Sequence, residues 1–152
     1  MAITTNDLIE KFGTQDSADD GSTSAVANNA FSVAADIAAW TNDDDAPFAA
    51  FVFSGTFASA ATANSSVELF ARKLNIDGGT DDEPTPSANN LGGYLGSFPL
   101  DNATAHTVGI VVKLPNTISS QQYEFYIRNS SGQSLNSSWA LQVTPVAYGP
   151  HA

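Results

Sequence analysis

Cysteine is absent from this sequence, which excludes disulfide bonds and thiolate metal sites. Cations are scarce, with 5 Lys and Arg against 16 Asp and Glu, and the net charge is −11. Nucleic acids and anionic lipids are bound largely through cations, so we expect neither nucleic acid nor a membrane as a partner. The longest strongly apolar run, Phe48 to Phe53, is too short to cross a bilayer.

A signal peptide is also missing from the pattern of the first residues. MAITTNDLIEKFG has no cationic start, no long apolar stretch and no cleavage site. We therefore expect a protein that is made and used in the cytoplasm, or one that leaves the cell without a secretion signal.

The hydrophobic and aromatic content of the chain is that of an ordinary globular protein, and its length is that of a single domain. Its 152 residues are 42% hydrophobic and 10% aromatic, enough for one real core. Five segments alternate apolar and polar side chains with the period of a half-buried strand. They lie at residues 48–57, 67–72, 107–114, 123–128 and 139–144, and a sixth strand is predicted near Tyr94 to Leu100.

The connections between these segments are rich in turn-forming residues and leave no room for a crossover helix. The pattern therefore predicts an all-β fold, a single antiparallel β-sandwich or jelly roll with one short N-terminal helix. We expect residues 1–47 to form that helix, an acidic arm and a first strand, and residues 48–152 to form the sandwich, in one domain overall.

The N-terminal helix is predicted from its boundary signals. Thr4 is a suitable cap, Gly13 is a natural stop, and Leu8, Ile9 and Phe12 form the apolar stripe. Residues 14–30 are small, polar and acidic, as is typical of a loop or arm. Residues 31–40 suit a short helix or a strand, and we favour a strand followed by a loop.

Two acidic clusters are candidate calcium sites, because calcium prefers oxygen ligands. One lies in the long loop Asp77 to Asn90 and the other is Asp43 to Asp45. The loop cluster contains Asn75, Asp77, Asp81, Asp82 and Glu83. Neither cluster has EF-hand spacing, so a solvated acidic loop is the preferred interpretation for both.

Catalytic patterns are weak. The histidines, His106 and His151, accompany no nucleophile signature, and Gly92, Gly93 and Gly96 precede neither Lys-Ser/Thr nor a helix.

A pair of carboxylates for glycoside hydrolysis could come from Glu68 and Glu124 if their strands are neighbours. Ion pairing with the nearby strand cations Arg72, Lys73, Lys113 and Arg128 is the preferred interpretation of both acids. We expect no catalytic, cofactor-binding or metal-binding residue, and a protein that is not an enzyme.

The aromatic side chains allow two interpretations. They could form a platform that stacks on sugar rings, or they could be core and interface anchors, which is the more frequent role. The candidates are Tyr94, Tyr123, Tyr126, Trp139 and Tyr148.

About two thirds of the chain resembles small virion proteins of tailed bacteriophages. The segments that carry the resemblance are FAAFVFSGTFA (48–58), SSVELFARKLNIDGGTDDEPTP (65–86), YLGSFPLD (94–101), YEFYIRNSSGQSL (123–135) and SSWALQVTPVAYGP (137–150). The resemblance implies a β-sandwich that decorates or cements the capsid, bound to the major capsid protein and to copies of itself as a homotrimer. It transfers no functional residues.

The sequence therefore predicts a non-enzymatic virion protein that stabilises a bacteriophage capsid, assembled in the host cytoplasm. Residues 14–30 and the tail from Pro145 to Ala152 are candidate segments for gripping a neighbouring subunit. Alternatives are a protein of the phage tail or fibre, and a carbohydrate-binding module for host glycans.

Overall fold

The computed structural model describes residues 8–77 and 81–150, and these residues form an all-β fold. Among them there is one short helical segment, the 3-10 turn Ala34–Asp36, and no helix long and apolar enough to span a membrane. The nine strands are β1 (Leu8–Phe12), β2 (Asp16–Ser17), β3 (Ala39–Thr41), β4 (Phe48–Thr56), β5 (Ser66–Leu74), β6 (Tyr94–Pro99), β7 (Ala105–Lys113), β8 (Gln122–Ser130) and β9 (Ala140–Pro150). The six strands predicted from residue 48 onward are confirmed.

The strands form two antiparallel sheets. Sheet I has the order β1-β9-β4-β7, with β2 also paired to β9, and sheet II has the order β3-β8-β5-β6. Leaving β2 aside, the first strand pairs with the last, the second with the second last, and so on inward: β1 with β9, β3 with β8, β4 with β7, β5 with β6. The chain is thus paired like one long hairpin wound onto itself.

The hydrophobic core lies between the two sheets. On β4, Phe51 and Phe53 are fully buried, and the Phe51 ring meets Phe125 of β8 at a centroid distance of 4.7 Å. The residues predicted to face inward on β5, β8 and β9 are buried as well. On the edge strand β7 the inward Val108 and Ile110 are only partly buried, because nothing pairs with its outer edge among the described residues. The period-two prediction of a single core is confirmed.

The predicted N-terminal helix is wrong over residues 8–12, and its remaining residues lie outside the described part of the chain. Residues 8–12 form strand β1, with Leu8 opposite Pro150 and Phe12 opposite Val146. A short helix is marginal without packing, whereas pairing with β9 satisfies the backbone of the segment. The spacing of Leu8 and Phe12 also puts both side chains on one face of a strand.

The acidic arm, residues 14–30, lies against the sandwich. Ala18 and Val26 are buried in the core. The Thr23 hydroxyl donates to the Trp139 carbonyl at 2.7 Å, and the Trp139 indole donates to the Ser24 carbonyl at 2.9 Å. The strand predicted for residues 31–40 is found only in pieces, because the 3-10 turn Ala34–Asp36 interrupts it. Phe31 forms a single bridge to Arg128, Ile37 forms one to Asp19, and β3 begins at Ala39.

Candidate functional site

His106 is packed as a structural residue of β7. Its side chain is buried, Nε2 lies 3.0 Å from the Ala103 carbonyl oxygen, and the ring meets Phe57 edge-on at 5.5 Å. Nδ1 lies 3.7 Å from Asp101 Oδ1. The ring is therefore held by its own loop and by the core, which is a structural role for His106. His151 lies outside the described residues.

The glycines that follow the long loop serve a turn. Gly93 has φ +78 and accepts a hydrogen bond from the Ala71 amide, and a Cβ at Gly93 would collide with the Ala71 carbonyl. The pairing of β5 with β6 shifts register at this point, between Leu69 and Phe70. Glycine is therefore required by the close approach of two strands, as in a β-bulge.

The two strand carboxylates are cross-strand ion-pair partners. β5 and β8 are neighbours, with Glu68 opposite Arg128 and Arg72 opposite Glu124. The distances are 3.1 Å from Arg128 Nη1 to Glu68 Oε2 and 2.7 Å from Arg72 Nε to Glu124 Oε2. The two acids lie four rungs apart on this ladder, about 13 Å along the strands, which exceeds the separations used by glycosidases. The ion-pair interpretation is confirmed.

The acidic loops use their carboxylates inside the fold. Glu83 accepts from the Lys73 amide at 2.9 Å and pairs with Lys73 Nζ at 3.1 Å. Asp82 accepts from the Asn75 amide at 3.0 Å. Within residues 8–77 and 81–150 no three acidic or histidine side chains are grouped as metal ligands.

The second acidic cluster is joined to the loop before β8. Asp45 accepts from the Ser119 hydroxyl at 2.6 Å and from the Ser120 amide at 2.7 Å. These two hydrogen bonds lower the pKa of the Asp45 carboxyl. Asp45 thus has a local structural role in fixing this loop.

The five aromatic candidates do not form one platform. Tyr123, Tyr126 and Trp139 are buried, and burial raises the pKa of Tyr126 to about 12, with its hydrogen bond to Glu124 adding to the shift. The other two, Tyr94 and Tyr148, are exposed but lie on different sheets.

The outward face of sheet II is covered by other parts of the chain; we call it the covered face. The Phe70 ring on this face is 2% exposed because Phe31 packs on it at 5.0 Å and Tyr94 at 5.4 Å. The Tyr126 side chain is fully buried, and its hydroxyl donates to Glu124 at 2.7 Å. Phe31, Tyr94, the loop that contains Glu83 and the two ion pairs leave little of this face for a partner.

The outward face of sheet I is apolar along one half, where Val146 in the middle is buried and the large side chains around it are exposed; we call the whole outward face the apolar face. Residues paired directly across antiparallel strands share a face, so the register defines it. One row runs from Phe12 through Val146 and Phe48 to Lys113, and the next contains Ala50 and Val111. The most exposed large apolar side chains of this face are Leu8, Phe12, Tyr148 and Val111, at 77%, 60%, 58% and 54%.

Charge is nearly absent from the apolar face. Among the described strand residues that point outward from sheet I, the charged ones are Glu10 on β1 and Lys113 on β7. They lie on the two opposite edge strands. For a chain with 16 acids, a sheet face with one acid and one cation is unusually neutral, and contiguous exposed apolar surface typically marks an interaction site.

Sequence reasoning did not identify the apolar face, although the sequence carries a signal for it. Phe48 to Phe53 and Gly109 to Val112 are apolar at outward as well as inward positions, which departs from strict alternation. In a sheet with one solvated face, outward positions are expected to be polar. Apolar residues of both parities on two neighbouring strands therefore indicate a second buried face.

Comparisons with known proteins give only distant likenesses. No protein-family model and no curated protein matches the chain. A carbohydrate-binding module, CBM36, in complex with calcium and xylotriose aligns with TM-score 0.39 and 13% identity over 93% of this chain and 98% of that one. The CBM22-1 xylan-binding domain of Paenibacillus barcinonensis Xyn10C aligns with TM-score 0.42 and 10% identity over 99% and 100%.

A virus structure gives a likeness of the same order. Desmodium yellow mottle tymovirus aligns with TM-score 0.33 and 12% identity over 100% of this chain and 93% of that one. At these values none of the three structures assigns a function to the chain.

Proposed function

We propose that the protein is a non-enzymatic virion protein that decorates and stabilises a bacteriophage capsid. The observation that carries the proposal is the apolar face, a partly apolar and nearly neutral surface on a strongly acidic molecule. Burying apolar surface contributes about 25 cal/mol per Å². A protein used at high copy number needs such a surface for assembly and charge elsewhere for solubility.

The proposal includes the jelly-roll form of the sandwich. The nested pairing of first strand with last, repeated inward through four pairs, supports this classification. Leaving aside the two-residue strand β2, each sheet then contributes four strands. Jelly rolls recur in viral shells and in lectins, so the strand order fits the proposed role without selecting it.

The proposed partners are the major capsid protein and further copies of this chain, and the proposed location is the virion. The resemblance to phage virion proteins implies a homotrimer, whereas the geometry of the apolar face favours a pair. Repeated contacts over a shell gain strength through multivalency, so each contact needs only moderate affinity.

The two segments considered as grips need a revised test. Ala18 and Val26 in the arm are core residues, and residues 145–150 of the tail belong to β9. Deleting residues 1–30 would therefore destabilise the sandwich itself, and lost binding would not measure a grip. A point substitution on the apolar face is the sharper experiment.

The test is quantitative mass spectrometry of virions produced by the genome that encodes this chain. On the order of hundreds of copies per particle are expected for a shell protein, because decoration follows the shell symmetry. A few dozen copies or fewer would point to the tail or a vertex. Absence from the particle, combined with hits on a glycan array, would overturn the proposal in favour of carbohydrate binding.

A second measurement tests the surface. Virions that carry Val111→Glu should lose most of the protein, whereas Val33→Glu should leave the copy number unchanged. Val33 is a matched control because it is 52% exposed, against 54% for Val111, and lies outside the apolar face. Equal copy numbers for the two variants would show that the apolar face is not used in assembly.

A further inference from the structure

We infer that the apolar face binds the apolar face of a second copy of this chain, in a two-fold pair with Glu10 of each copy over Lys113 of the other. The inference deepens the proposed function by naming the occupant of its assembly surface. Four observations carry it: the shape of the face, its charges, the charge of the remaining surface, and its area.

The shape of the apolar face favours another β-sheet as its partner. The face is the outer side of four hydrogen-bonded strands, β1, β9, β4 and β7. Sheets pack face to face at about 10 Å with their strands crossing at about 30°, and the equal twist of two identical sheets suits this arrangement. Three flat faces around a three-fold axis would touch only at their edges, so a pair buries the face best.

The charges select one orientation of the pair. Glu10 lies on one edge strand and Lys113 on the other. A two-fold axis parallel to the strands, between β9 and β4, places β1 of each copy over β7 of its partner. Glu10 and Lys113 occupy adjacent rows, about 7 Å apart along the strands, which the long side chains can span.

The remaining charge of the molecule argues that copies meet at this face. Each copy carries −11, so two copies repel one another through most of their surfaces. Two of the five cations, Arg72 and Arg128, are ion-paired on sheet II, and Lys73 is paired with Glu83. Among the described strand residues, the apolar face is the sheet face that presents one acid and one lysine to a second copy.

The area is close to the lower limit for a stable dimer. The strands β1, β9, β4 and β7 have 5, 11, 9 and 9 residues, and at about 4.8 Å between strands and about 3.4 Å per residue they make a face of roughly 550 Å². Two such faces bury about 1,100 Å², close to the lower bound of specific protein interfaces. We therefore expect a reversible dimer of moderate affinity.

The first experiment is sedimentation equilibrium of the full chain and two variants. The wild type should reach twice the monomer mass in a concentration-dependent manner. Val111→Glu should raise the dissociation constant by at least about tenfold, since it buries two unpaired carboxylates per dimer. Val33→Glu, the matched control, should stay within about threefold of the wild type.

A charge exchange tests the orientation without disturbing the core. Glu10→Lys and Lys113→Glu should each weaken the dimer about threefold or more by placing like charges together, and the double variant should recover the wild-type affinity. Both residues are exposed, so the fold is expected to survive, with circular dichroism as the check.

Several outcomes would overturn the inference: a monomer at about millimolar concentration, a trimer, or a dimer insensitive to Val111→Glu. A double variant weaker than either single variant would overturn the two-fold orientation. Dimerisation without incorporation into virions would reject the proposed function alone. Incorporation of a protein that stays monomeric in solution would reject the pair and leave the proposed function intact.

Discussion

The two outward faces of the sandwich differ in what covers them. Sheet II is covered by Phe31, Tyr94 and the loop that contains Glu83, and its charges are paired between neighbouring strands. Part of the outward face of sheet I is as apolar as that of sheet II, yet Phe12, Val111 and Tyr148 on it are more than half exposed. One chain thus uses similar side chains to complete its own fold on one face and leaves them open on the other. The open face is where assembly is expected.

Truncation of a covered aromatic should give the largest effect on stability. Phe70→Ala is expected to lower the free energy of unfolding by about 3 to 5 kcal/mol, because it leaves a cavity between Phe31 and Tyr94. Tyr148→Ala on the apolar face should cost about 1 kcal/mol or less, since that ring is 58% exposed. Urea unfolding of both variants measures the difference, and equal losses would contradict the contrast between the faces.

Alkaline pH should reveal the burial of Tyr126 on the covered face. Its pKa is raised to about 12, so the hydroxyl ionises in the unfolded chain before it ionises in the folded one. Stability is therefore full below about pH 10 and lost as the pH rises through about 12.

The control for this pH dependence is Tyr126→Phe, which cannot ionise at that position. The variant should lose less stability than the wild type between pH 10 and 12, measured by urea unfolding at each pH. Identical slopes for the two proteins would mean that Tyr126 is solvated. Burial also raises the pKa of Tyr123, so both proteins are expected to lose some unfolding free energy with rising pH because of Tyr123.

The smallest of the three effects is expected from the charges. Arg72→Met should cost about 1 to 2 kcal/mol, because it leaves Glu124, a part-buried carboxylate, with Tyr126 as its remaining hydrogen-bond donor among those described. Lys113→Met should change the stability of the monomer by no more than about 0.5 kcal/mol. Thermal denaturation of both variants measures the two losses of stability. A larger loss for Lys113→Met than for Arg72→Met would contradict the proposal that Lys113 belongs to an interface.

Some of the fold could be predicted because it follows from the chain's own period. Leu141 and Val143 alternate with Ala140, Gln142 and Thr144, and both face the core. The pairing of Glu68 and Glu124 with arginines was predictable because opposite charges recur on adjacent strands. The strand β1 was not predictable, because the spacing of Leu8 and Phe12 fits one face of a helix and one face of a strand equally well.

The candidate site was the harder part. Phe70 and Val111 are both apolar residues at outward positions of a strand, and the local sequence does not distinguish them. Phe70 is buried because Phe31 and Tyr94 pack on it, and Val111 stays exposed because no described segment packs on it. Contacts between residues distant along the chain decide such cases, and a single sequence does not state them.

The sequence by itself determined the acidity of the molecule, the period of its strands and the identity of its core. Those properties depend on residue type and local order alone. Only the tertiary structure decided that residues 8–12 pair with β9, that sheet II is covered and that sheet I is bare. The physical reason is that a strand's two faces are fixed by its own side chains, whereas what lies against each face is fixed by the path of the whole chain.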